Sequence, residues 1–167
     1  MRRSLAVMAV VAVLCLASSL LRQGRAENTA LPVLGAWRLI SAASEEVDTG
    51  KKFEPMGPNP TGYLVYLPDG RMFALGAPAS REPPKTDTDR VQRHRASFGY
   101  SGRYTINGDK VTHHVDMSIH PETVGVDLVR HFIFEADKLI IKTVPRVHRV
   151  TGTTSVTTLI WEKTTPR

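Results

Sequence analysis

Cysteine is nearly missing from this chain. Its 167 residues contain one, Cys15, inside an apolar run close to the start. Arg2 and Arg3 precede that run, Leu5 to Leu16 form it, and Gly24-Arg25-Ala26 follows with small residues flanking a cleavage point. This is the layout of a secretory signal peptide over residues 1–26, followed by a linker over 27–33 and a folded domain over 34–165. Cleavage near Ala26 removes the only thiol. The mature chain then has no disulfide, no thiol nucleophile and no Cys-based metal site. A lipid-modified Cys15 is the rival reading, but Val13 and Leu14 stand where that processing needs small residues. The apolar stretch is short for a membrane anchor, so no stable span is expected after processing.

Other motifs are lacking as well. There is no Gly-x-Ser-x-Gly for a nucleophilic serine and no Gly-rich phosphate loop. No strong excess of charge survives processing either. The whole chain is +6, but the leader takes Arg2, Arg3, Arg22 and Arg25 with it and no acidic residue. Of the 22 basic residues, 18 remain against 16 acidic ones, a net +2. The basic pI is therefore mostly a property of the leader, and nucleic acid is not the expected partner. The runs Arg90–Arg95 and Arg146–Arg149 are suited to an acidic membrane or polyanion, although such runs are more often solvated loops. His113, His114, Asp116 and His120 resemble a metal cluster on paper. Only alternate residues of a strand share a face, so His114 and Asp116 can chelate together and His113 cannot join them. No metal site and no cofactor is expected.

What is present is a series of strand signals. Leu34–Ala42, Thr61–Leu67, Arg71–Gly76, Ser97–Ile106, Lys110–Ser118, Asp127–Glu135, Lys138–Val144 and Thr153–Lys163 read as eight short strands. Hairpin turns are marked by Pro68-Asp69-Gly70, Asn107-Gly108-Asp109 and Ala136-Asp137. Gly50–Pro60 and Pro145–Gly152 read as loops. Ala77–Arg95 reads as a loop that leads into one or two helical turns. Eight strands in meander order predict an all-β, antiparallel up-and-down barrel with little helix. A two-sheet sandwich is the alternative, but its crossovers need longer links.

Hairpin register sets which side chains face inward. With Asn107-Gly108 as the loop, Tyr104 pairs with Val111, Gly102 with His113 and Tyr100 with Val115. Tyr100, Tyr104, Val111, His113, Val115 and Met117 then share an apolar inner face. With Ala136-Asp137 as the loop, Phe134 pairs with Leu139, Phe132 with Ile141 and Arg130 with Thr143. Arg130 is then an arginine on an otherwise apolar face. Around Asp69-Gly70, Val65, Leu67 and Met72 fall on one face and Tyr66, Phe73 and Leu75 on the other. Both are apolar, so the outside there needs cover from the 77–95 segment or a partner subunit. An inward arginine needs a partner. The functional reading of Arg130 is a clamp for an anionic head; the structural one is closure of a barrel end by stacking on Trp37 or Trp161, or by bonding to carbonyls. His113 is either a ligand contact or base, or a histidine satisfied by a tyrosine hydroxyl.

The pieces Leu34-Gly35-Ala36-Trp37-Arg38-Leu39, Gly62-Tyr63-Leu64-Val65-Tyr66, Pro68-Asp69-Gly70-Arg71-Met72, Tyr100-Ser101-Gly102-Arg103-Tyr104 and Val111-Thr112-His113-His114-Val115, with Pro121, Gly125, Arg130, Leu159 and Trp161-Glu162, resemble the bacterial and fungal lipocalin-like domain family. Lys163 departs from it, standing where an arginine is common. The resemblance implies a calycin-type barrel, and leaves function open because one fold hosts many activities. The leading expectation is a periplasmic or secreted barrel that binds a small hydrophobic or amphipathic molecule, acidic ones included. The expected contacts are Tyr100, Tyr104, His113, Val115, Met117, Arg130, Phe132 and Phe134. The alternatives are an isomerase, cyclase or hydratase in which His113 moves a proton and Arg130 stabilises negative charge, and a structural barrel with a filled core. Oligomeric state is not legible.

Overall fold

The computed structural model describes residues 32–79 and 82–164. The expected leader and most of the expected linker lie outside these residues. The strands are β1 (Gly35–Glu46), β2 (Lys52–Phe53), β3 (Thr61–Tyr66), β4 (Arg71–Ala77), β5 (Phe98–Asn107), β6 (Lys110–Ser118), β7 (Asp127–Glu135), β8 (Lys138–Thr143), β9 (Arg146–Val147) and β10 (Thr154–Lys163). One helix, α1 (Asp87–Ala96), joins β4 to β5, and a 3₁₀ turn (Pro121–Thr123) joins β6 to β7. The eight long strands pair antiparallel in sequence order, and β10 pairs back onto β1. This closes the sheet into the expected up-and-down barrel and excludes the sandwich. Two-residue strands β2 and β9 extend the edges of β1 and β10 within segments expected to be loops.

Connectors of a meander alternate between the two ends of the barrel. One end carries the tight turns at 67–70, 108–109 and 136–137, and also the first and last described residues. It is sealed. The Trp37 indole donates to the Val33 carbonyl at 2.7 Å, packs on Phe134 at 5.9 Å and lies 4.3 Å beneath the Lys163 ammonium. The Lys163 ammonium thus makes a cation–π contact with the tryptophan at the base of the barrel. The opposite end carries the four long connectors at 47–60, 78–97, 119–126 and 144–153. Buried Leu39, Met72, Val111 and Leu139 help fill the sealed half. Each such side chain contributes about 1.5–3 kcal/mol relative to exposure.

Register corrects part of the sequence-based facing. The third hairpin pairs as expected, Phe134 with Leu139 and Arg130 with Thr143. In the second, Asn107 pairs with Lys110, so the turn is Gly108-Asp109 and Tyr104 meets His113. The pairing is displaced by two residues, and an even shift keeps every side chain on its face. A bulge at Asp116, opposite Ser101 and Gly102, then breaks the alternation of β6. It turns Met117 outward, where it is 58 % exposed, and Ser118 inward. Met117 is therefore not an inner residue. In the first hairpin Tyr66 pairs with Met72 and both are fully buried. Tyr66 belongs to the inner face and not with Phe73 and Leu75, which are exposed.

α1 is longer than the one or two turns expected. A capping box starts it: Thr86 Oγ1 accepts from Asp89 N–H, and the Asp89 carboxylate accepts from Thr86 N–H. None of its residues is buried, so local capping supports it more than core packing.

Candidate functional site

The long-connector end opens into a cavity of about 90 Å³. Its apolar walls include Leu64, Ala74, Phe98, Leu128, Ile141 and Leu159. Its polar lining includes Tyr100, His113, Arg130, Trp161 and, towards the mouth, Arg146 and Arg149. On a scale of about 10–15 Å³ per water, there is room for a compact group and not for a long extended chain.

β6 carries His113 and β7 carries Arg130 into this space because both keep the inward parity of their strands. His113 is 1 % exposed. Its Nε2 lies 2.7 Å from the Tyr66 hydroxyl and its Nδ1 2.9 Å from the Tyr100 hydroxyl. Burial, then the neighbouring Arg130 charge, lowers its pKa from 6.5 to about 3. The ring is held neutral. Burial likewise raises the pKa values of Tyr66 and Tyr100, and the Arg130 charge partly offsets both.

Arg130 is 6 % exposed. Its guanidinium donates to the Val129 carbonyl at 2.9 Å, and it lines the same cavity as Tyr100. Among the described residues no carboxylate is within ion-pair distance of it. It closes on a carbonyl, one of the structural roles anticipated, and does so on the wall of a cavity. Arg146 adds a second cation: burial, then the Arg130 and Arg149 charges, lowers its pKa. Arg149 is held by Glu122 at 3.1 Å and Thr123 at 2.8 Å. The Trp161 indole N–H is buried on the same wall and has no partner among the described residues.

Of the eight side chains expected to line a ligand site, the cavity brings together Tyr100, His113 and Arg130. Tyr104 is at the sealed end, its hydroxyl donating to the Leu67 carbonyl at 3.0 Å. Val115 is buried away from the cavity. Phe132 and Phe134 pack edge to face at 5.9 Å and help fill the sealed half, with Phe134 still 38 % exposed. His114 and Asp116 do not converge. His114 bonds Asp127 and Thr105, and Asp116 bonds Arg71 and Ser101.

Sequence reasoning missed Tyr66, Trp161, Arg146 and Arg149 as site residues. Trp161 was findable, since it pairs with Leu139 and shares the inward parity of that strand. Tyr66 was hidden by a hairpin apolar on both faces. The two arginines belong to a loop whose path no periodicity sets.

A family model described as a lipocalin-like domain matches residues 34–164. No curated protein matches the chain.

Proposed function

Because the chain belongs to the lipocalin-like domain family, whose closed barrels are built to enclose ligands, we propose that it binds a compact amphipathic acid outside the cytoplasm. The acid group sits against Arg130 and its apolar part against Leu64, Leu128, Ile141 and Leu159. The leader pattern of residues 1–26 supports export, and among the described residues no helix is long and apolar enough to cross a membrane.

One observation carries the reading. Arg130 is buried beside a cavity, and among the described residues no carboxylate balances it. A buried charge without a counterion is expensive, and an anionic ligand supplies the missing partner. Arg146 at the mouth adds to the same field. The alternative of proton transfer by His113 has less behind it. A ring with a pKa of about 3 is a weak base near neutrality.

Isothermal titration with hexanoate and hexan-1-ol tests the reading. Hexanoate is expected to bind at least about tenfold tighter than the alcohol. Arg130→Gln is expected to remove that advantage, since a hydrogen bond to a charged group contributes about 1.5–3 kcal/mol. Equal binding of acid and alcohol, or undiminished acid binding by Arg130→Gln, overturns it.

A further inference from the structure

Beside Arg130 runs a hydrogen-bond chain whose direction is set by a shortage of acceptors. A neutral imidazole has one N–H donor and one bare nitrogen. His113 uses both ring nitrogens on tyrosine hydroxyls. One tyrosine must therefore donate its hydroxyl hydrogen to the ring, and the other must receive the ring's hydrogen.

Tyr66 decides which. It is 0 % exposed, it does not line the cavity, and among the described residues its hydroxyl bonds only to His113. Were His113 to donate to it, the Tyr66 hydroxyl hydrogen would be buried without an acceptor, a penalised arrangement. Tyr100 is under no such constraint, because it lines the cavity together with Arg130.

We propose that Tyr66 donates to His113 Nε2, that His113 is thereby fixed as the Nδ1–H tautomer donating to Tyr100, and that the Tyr100 hydroxyl hydrogen is left pointing into the cavity as a donor to the bound acid. The consequence for the ligand rests on the acid-binding reading above; the tautomer does not. Tyr66 and His113 are positioning residues, and Tyr100 is the contact. Trp161 adds a second unshared donor on the same wall, being 2 % exposed with no partner for its N–H among the described residues. With Arg130, three groups of the lining then present hydrogens inward. An ionised acid accepts from such groups with both oxygens, whereas a protonated acid or an amide brings a hydrogen of its own that opposes them. The site selects the ionised form.

Long-range ¹H–¹⁵N correlation spectra of the unliganded chain at neutral pH read the tautomer directly. His113 is assigned through its proximity to the Tyr66 and Tyr100 rings, whose centroids lie 5.6 and 5.8 Å away. The expected pattern is a protonated Nδ1 and a bare Nε2. A protonated Nε2 overturns the proposal. In hexanoate titrations Tyr100→Phe is expected to bind about tenfold more weakly than wild type, and unchanged affinity overturns the donor role of Tyr100. Loss of affinity in Arg130→Gln alone would overturn the donor role of Tyr100 and leave the acid reading standing. If wild type does not bind hexanoate, the acid reading fails, and the tautomer spectrum still decides the direction of the chain.

Discussion

Acidification from pH 7 to pH 5 is expected to remove about 2 kcal/mol of folding stability through His113 alone. In the folded barrel its pKa falls from 6.5 to about 3. The unfolded chain therefore takes up the proton first. Stability is lost as pH drops below about 6.5, and the loss saturates below about 3, where both states are protonated. At about 1.36 kcal/mol per pKa unit, the full span is worth on the order of 5 kcal/mol. Less than about 1 kcal/mol is gone by pH 6 and about 2 kcal/mol by pH 5. The cause is local: an imidazolium would lie fully buried beside the Arg130 guanidinium, with two tyrosine hydroxyls and no carboxylate as partners. Urea unfolding of wild type and His113→Gln at pH 7, 6 and 5 isolates the effect, because other titrating groups are common to both proteins. With a urea dependence of about 2 kcal/mol per molar, the wild-type midpoint should fall by about 1 M more than that of the variant between pH 7 and pH 5. Parallel pH profiles for the two proteins would refute the reasoning.

Two further outcomes follow from the backbone. At Gly102 a Cβ would stand 2.0 Å from the His114 carbonyl oxygen and 2.8 Å from its carbon. Since backbone cannot move aside as a side chain can, Gly102→Ala is expected to cost about 3 kcal/mol or more and to lower the melting temperature by roughly 10 °C; a shift under about 2 °C would contradict the close approach. Thr86→Ala removes the capping box of α1 and should weaken that helix by about 1 kcal/mol. Because α1 buries nothing, amide exchange over 87–96 should accelerate while the barrel's melting temperature stays put, and coupled loss of both would show that the helix is integral to the core.

How far the sequence could be read depended on what fixed each register. The Ala136-Asp137 turn put Glu135 against Lys138 and His131 against Lys142 outside, and Phe134 against Leu139 and Phe132 against Ile141 inside, and with that register Arg130 was placed correctly. The Asn107-Gly108-Asp109 turn offered two loops differing by an even step, so the facing of His113 survived a wrong pairing. Met117 did not survive, because a bulge adds one residue and reverses parity beyond it. Glycine at 102, inside an otherwise regular strand, was the only hint of that bulge. Tyr66 was not legible: Tyr63, Phe73 and Leu75 put apolar groups on the outside too, and those side chains are half-exposed in the structure. They leave the outer surface there without the cover anticipated from the 77–95 segment. The filled half and the open half of the barrel were not separable either. That division depends on where the bulky Trp37, Phe132 and Phe134 meet across strands far apart in the chain.

The sealed base has a practical corollary. The Thr164 amide and hydroxyl both bond the Ala36 carbonyl, so the two ends of the barrel's chain leave side by side from the floor of the cup. A resin, dye or fusion partner joined after Thr164 hangs beneath the vessel and leaves its opening clear. Immobilised protein should therefore meet solutes as freely as protein in solution.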